Sequence, residues 1–120
     1  MATPSLDTLS PLHWMGIVLA LLSASVHLVL GVGFLPHPMG VLFVLSGLGF
    51  VGAVVLLLFD FRRRLLYAIG IPYTGVQIVL WAVLNWGTIS GGTIPPSHAL
   101  DKVAQAGLVA ILIHLYRTAD

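Results

Sequence analysis

The chain of 120 residues has no cysteine and no glutamate, and only 8% of its residues carry charge. Without cysteine there is no disulfide, no thiolate metal site and no quinone-linked dithiol relay. Without glutamate every acid is an aspartate, Asp7, Asp60, Asp101 or Asp120, and none lies deep in the first apolar run. That excludes a proton-coupled drug exporter working through a carboxylate there. The net charge of +1 is too small to point to nucleic acid or to an acidic substrate. No nucleophile sits near a base and no carboxylates are paired, so an enzyme is not expected. The two halves share no repeat, which argues against an inverted-repeat transporter. Residues 1–12 contain no Lys or Arg, so they lack the basic region of a secretory signal, and the first apolar run is expected to be retained.

Long apolar runs are what the sequence does contain. Four of them, Trp14 to Leu35, Met39 to Phe59, Leu65 to Trp86 and Ser97 to Tyr116, account for most of a composition that is 58% hydrophobic. A helix of ~20 residues rising ~1.5 Å per residue crosses a hydrocarbon core of ~30 Å. None of the runs alternates as a barrel strand would, and a helix satisfies its own backbone in lipid. The expected fold is therefore all-α, a transmembrane four-helix antiparallel bundle over residues 13–117. A polar leader, 1–12, precedes it and a short tail, 118–120, follows. Arg62, Arg63 and Arg64 fill one turn and Arg117 follows the last run, with Lys102 the only base near the opposite face. The positive-inside rule then predicts a multi-pass protein of the plasma membrane with both termini cytoplasmic. The bilayer is its first partner.

The connections order the helices. Ser10 and Pro11 are placed to start the first, with His13 and Trp14 at the interface. Pro36, His37 and Pro38 reverse the chain after it, and Asp60 to Arg64 reverses it again, so spans one and two, and two and three, are expected to be neighbours. Gly87 to Pro96 is the one loop with room to move or to bind. Pro72 predicts a bend in the third span, and the arginine turn is expected to rest on anionic headgroups. Gly16, Ala20, Ser23, Ala24 and Gly31 on the first span and Ser46, Gly49, Gly52 and Ala53 on the second mark close approach. Their spacing suits packing within the bundle or a dimerisation surface.

Polar residues inside the runs converge on one level. Counted from the edges at ~1.5 Å per residue, His27, Ser46, Gln77 and Gln105 fall in one layer, one from each helix. Thr74, Gln77, Trp81 and Asn85 recur at helical spacing on the third span, as do His98, Asp101 and Gln105 on the fourth. With His37 they outline a polar vestibule open to the outside. Two readings compete: hydrogen-bonded glue between helices, and a ligand or ion site centred on His27. Asp101 and Lys102 are adjacent in sequence and are not expected to face each other; a helix dipole and headgroups account for them singly. His27, His37 and His98, with Asp101, form a conceivable copper or zinc set of unfamiliar spacing. His13 and His114 match in depth as haem ligands would, but both are interfacial. No cofactor is expected.

The segments HPMGVLFV (His37 to Val44), RRRLL (Arg62 to Leu66), IGIPYTGVQIVLW (Ile69 to Trp81) and DKVAQ (Asp101 to Gln105) resemble a family of small four-span membrane proteins from halophilic archaea. The resemblance implies an archaeal plasma membrane and brings no activity or catalytic residue with it. The sequence thus reads as a small non-enzymatic membrane protein, oligomeric or paired with another membrane protein, binding a small ligand or ion in the vestibule. An oligomeric solute or ion transporter is the alternative, and a haem or metal protein the second alternative.

Overall fold

Residues 6–119 are described in the computed structural model of the protein; the first five residues of the leader and Asp120 lie outside them. A single 3₁₀ turn, Leu6–Thr8, leads into α1, Pro11–Phe34. Four further helices follow: α2, Pro38–Leu58; α3, Arg63–Leu84; the one-turn α4, Trp86–Ser90; and α5, Pro96–Thr118. Of these, α1, α2, α3 and α5 are long and apolar enough to cross a membrane. The protein is all-α and, by the length and composition of its helices, a multi-pass membrane protein. The loop expected from Gly87 to Pro96 is helical in its first half, because α4 continues one turn beyond Asn85.

Local chemistry explains the helix ends. At the start of α1, Ser10 Oγ accepts from the His13 amide (3.4 Å) while the Ser10 amide donates to His13 Nδ1 (3.1 Å), and Pro11 occupies the first helical position. His13 Nε2 then lies 3.0 Å from the Tyr67 hydroxyl, joining α1 to α3. His37 caps α2, its Nδ1 accepting from the Met39 amide at 3.0 Å. Between α2 and α3, Asp60 and Arg62 take left-handed backbone conformations (φ 55° and 46°) that bring the chain round sharply. Arg63 fastens this turn: its guanidinium donates at 3.0 and 3.1 Å to the Leu57 carbonyl, which also accepts the Asp60 amide at 3.1 Å, and to Thr8 Oγ1 at 2.7 Å. Arg64 lies over the Tyr116 ring at 4.4 Å. Two of the three arginines thus stitch the protein together at this end, called the arginine end below; the other is the proline end.

The long helices are ordered α2, α1, α5, α3 in space, each packed on the next. One core joins Ile17, Ala20 and Ala24 of α1 to Phe50 and Val54 of α2 and Leu108 of α5, and a second joins Tyr67 of α3 to Ile111 and Leu115 of α5. The second and third spans, expected to be neighbours, are the least closely packed of the adjacent long helices. Despite their short turn the α2 and α3 backbones stay apart, bridged at mid-length by Tyr73 to Ser46 and Phe50, and hollows open along that seam. Close backbone approach is reserved for α1 and α2. A Cβ on Gly40 would lie 2.8 Å from the Gly31 carbonyl oxygen, so only glycine fits at this crossing.

Candidate functional site

At the proline end, buried polar side chains from α1, α3 and α5 form a connected network. Its core is a closed ring of four residues. Ser23 Oγ donates to Asp101 Oδ1 at 2.6 Å, and Asp101 Oδ2 pairs with Lys102 Nζ at 2.9 Å. Lys102 Nζ donates to Gln105 Oε1 at 2.7 Å, and Gln105 Nε2 returns to Ser23 Oγ at 3.1 Å. Because an ammonium only donates, it fixes Oε1 of Gln105 toward itself, and the amide nitrogen is left to face Ser23 and Gln77. Gln105 Nε2 also donates to Gln77 Oε1 at 2.8 Å, which brings α3 into the network. Ser23 and Gln105 are completely buried and Asp101 is 3% exposed. The ring is electrically balanced, since one carboxylate meets one ammonium. An unpaired charge would be untenable at this depth.

His27 hangs from the same network. Its Nδ1 lies 2.8 Å from the Ser23 carbonyl, which can only accept, so Nδ1 carries a proton. The nearest carboxylate oxygen, Asp101 Oδ1, is 3.6 Å from the same nitrogen. Nε2 has no hydrogen-bond partner among the described residues. The ring is held by Phe43 and Phe50, with centroids 5.2 and 6.2 Å away.

Above the network lies a cavity of about 400 Å³. His27, Gln77, Asp101 and Lys102 face into it from one side and Ser46 from the α2 side, while Trp81, Asn85 and His98 line its upper part. Leu30, Phe34, Phe43, Leu80 and Leu84 supply apolar wall. Trp81 Nε1 donates to His98 Nδ1 at 3.2 Å, Asn85 Nδ2 donates to the Trp81 carbonyl at 3.0 Å, and Lys102 Nζ sits 5.8 Å from the Trp81 ring.

Of the residues singled out from sequence, His27, Ser46, Gln77, Trp81, Asn85, His98 and Asp101 line this one cavity. Gln105 stands behind its wall as the hub of the network. Thr74 is elsewhere. It is completely buried, faces a second and almost wholly apolar hollow toward the arginine end, and its Oγ1 has no hydrogen-bond partner. Asp101 and Lys102 do pair, against expectation: their Cβ atoms diverge, but the long lysine stem curls back to the carboxylate. Ser23 and Lys102 are the residues that sequence reasoning did not place in the site. The signal for Ser23 was its position four residues before His27, on the same helix face.

Among the described residues, no group of three or more histidine and aspartate side chains gathers in a way that would hold a metal ion. His37 is spent on the α2 cap, His98 on Trp81, and His13 on Ser10 and Tyr67.

No curated protein and no solved structure is significantly similar to this chain. A family model does match it over residues 3–116, nearly its whole length, and the chain belongs to that family, DUF7475, a family of unknown function.

Proposed function

We propose that the protein is a non-enzymatic membrane protein that binds a small, neutral, hydrogen-bonding ligand in the proline-end cavity. The supporting observation is the floor of that cavity: a self-neutralised ring of polar groups that leaves His27 Nε2 without a partner. Ser46 Oγ, on the α2 side of the same cavity, is also buried without a partner. Unpaired polar groups in an apolar setting are costly, which favours a hydrogen-bonding occupant beside these atoms. The positive-inside rule puts the arginine end in the cytoplasm, both termini with it, and opens the cavity to the exterior of an archaeal cell.

The natural absence of cysteine makes the test direct. In proteoliposomes, Ser46→Cys is expected to react with a small membrane-impermeant thiol reagent added outside, and benzyl alcohol is expected to slow that reaction several-fold. Absence of reaction from either side, with the protein folded, would return the polar layer to a structural role.

A further inference from the structure

The two hollows follow one another along the open seam. Ser46 of α2 and Gln77 of α3 line the polar cavity, while Gly49 and Tyr73, one turn along on the same helices, line the second hollow of about 370 Å³. Tyr73 marks the step between them: its hydroxyl donates to the Ser46 carbonyl at 2.7 Å, over Gly49, where a Cβ would collide with that hydroxyl. Below the step the lining is apolar, and Gly52, Ala53, Leu56 and Ile69 are exposed where the seam opens outward. A Cβ on Gly52 would meet nothing within 4 Å.

Resting on the reading of the polar cavity as a ligand site, we infer that the ligand is an amphiphile with a neutral hydroxyl head and an apolar chain. The head lies in the polar cavity and the chain runs down the α2–α3 seam past Tyr73. The head chemistry follows from the unpartnered atoms. A hydroxyl both donates and accepts, and so suits His27 Nε2 and Gln77 Nε2, neither of which has a partner among the described residues. Asp101 and Lys102, which both line the cavity, already neutralise each other, so a charged head would meet no unpaired countercharge there. From Gln77 to Ile69 the seam offers ~12 Å of groove for the chain. Entry is lateral, from the bilayer, because the α2 and α3 backbones stay apart.

The test uses a dodecyl alcohol carrying a diazirine midway along its chain, with the matched amine and carboxylate, and the intact protein in lipid nanodiscs. Photolabelling by the alcohol is expected to saturate and to concentrate on α2 around Gly52 and α3 around Ile69. It should exceed labelling by either charged analogue and be lost in Gly52→Leu. His27→Leu should weaken it about five-fold, as the loss of one net hydrogen bond predicts, and His27→Asn, which keeps a polar group, serves as a second variant. Uniform, non-saturating labelling of every lipid-facing helix overturns the inference, and so does cleft labelling that ignores both the head group and His27. If benzyl alcohol still protects Ser46→Cys when the dodecyl probe labels everywhere, the cavity reading stands and the amphiphile falls. If neither ligand is held, both fall.

Discussion

The first and second helix pairs are built alike and end differently. α1 and α2 are joined through Leu35 to His37, α2 and α3 through Phe59 to Arg62, and both pairs carry small residues at helical spacing. The first pair closes until backbone meets backbone, whereas the second stands open along two consecutive hollows. Turn length therefore does not decide which helices pack; opposed small residues do. Gly31 faces Gly40, and Gly47 faces Ala24 and Leu28. Gly49, in contrast, faces Tyr73, whose ring and hydroxyl prop α2 and α3 apart.

The largest effect expected comes from the ion pair in the network that ties α1, α3 and α5 together beneath the open cavity. Asp101→Leu leaves the Lys102 ammonium, 13% exposed, without its carboxylate and takes away the acceptor of Ser23. A loss of about 3 kcal/mol is expected in mixed-micelle unfolding. Asp101→Leu combined with Lys102→Leu should recover most of it, because no charge is then left buried. A single variant costing under about 1 kcal/mol would mean that Lys102 finds water or headgroups by itself, and that the bundle depends less on this ring than its geometry suggests.

A smaller loss is expected where α1 and α2 touch. Gly40→Ala sets a methyl group 2.8 Å from the Gly31 carbonyl and 2.9 Å from the Leu35 amide, both backbone, so neither neighbour turns aside. The expected cost is about 2 kcal/mol. Gly33→Ala is the internal control, since nothing lies within 4 Å of the added methyl group. Equal stability of the two variants would break the claim that glycine contact closes this pair.

Much of this architecture is legible in the sequence, and for physical reasons. Four runs of bilayer length in so short a chain admit little besides spanning helices. In such apolar runs the few polar residues stand out by depth, so a level containing His27, Gln77 and Gln105 is readable without coordinates. What a helical wheel does not show is reach. Lys102 leaves the helix 100° from Asp101 yet returns to it, because its stem is long and its head has no better partner. Ser23 reads as a small packing residue until Asp101 is seen 2.6 Å from its hydroxyl. Thr74 and Gln77 share a stripe by spacing, but the Tyr73 step divides that stripe between two hollows. The open seam was hidden for a related reason, since spacing marks small residues without saying whether small or large ones face them.

The smallest effect should come from filling the open seam, and it separates the two pairs most sharply. Gly52 is exposed on a different face of α2 from the buried Gly40 and Gly47, and a side chain there enters empty space. Leucine is also the better helix former, by less than about 1 kcal/mol. Gly52→Leu is therefore expected to be neutral to slightly stabilising in mixed-micelle unfolding, although the same change made at Gly40 would force α1 and α2 apart. If Gly52→Leu instead cost more than about 1 kcal/mol, α2 and α3 would have to meet at this level in the membrane. The seam would then be closed in the bilayer and the contrast between the two pairs would disappear.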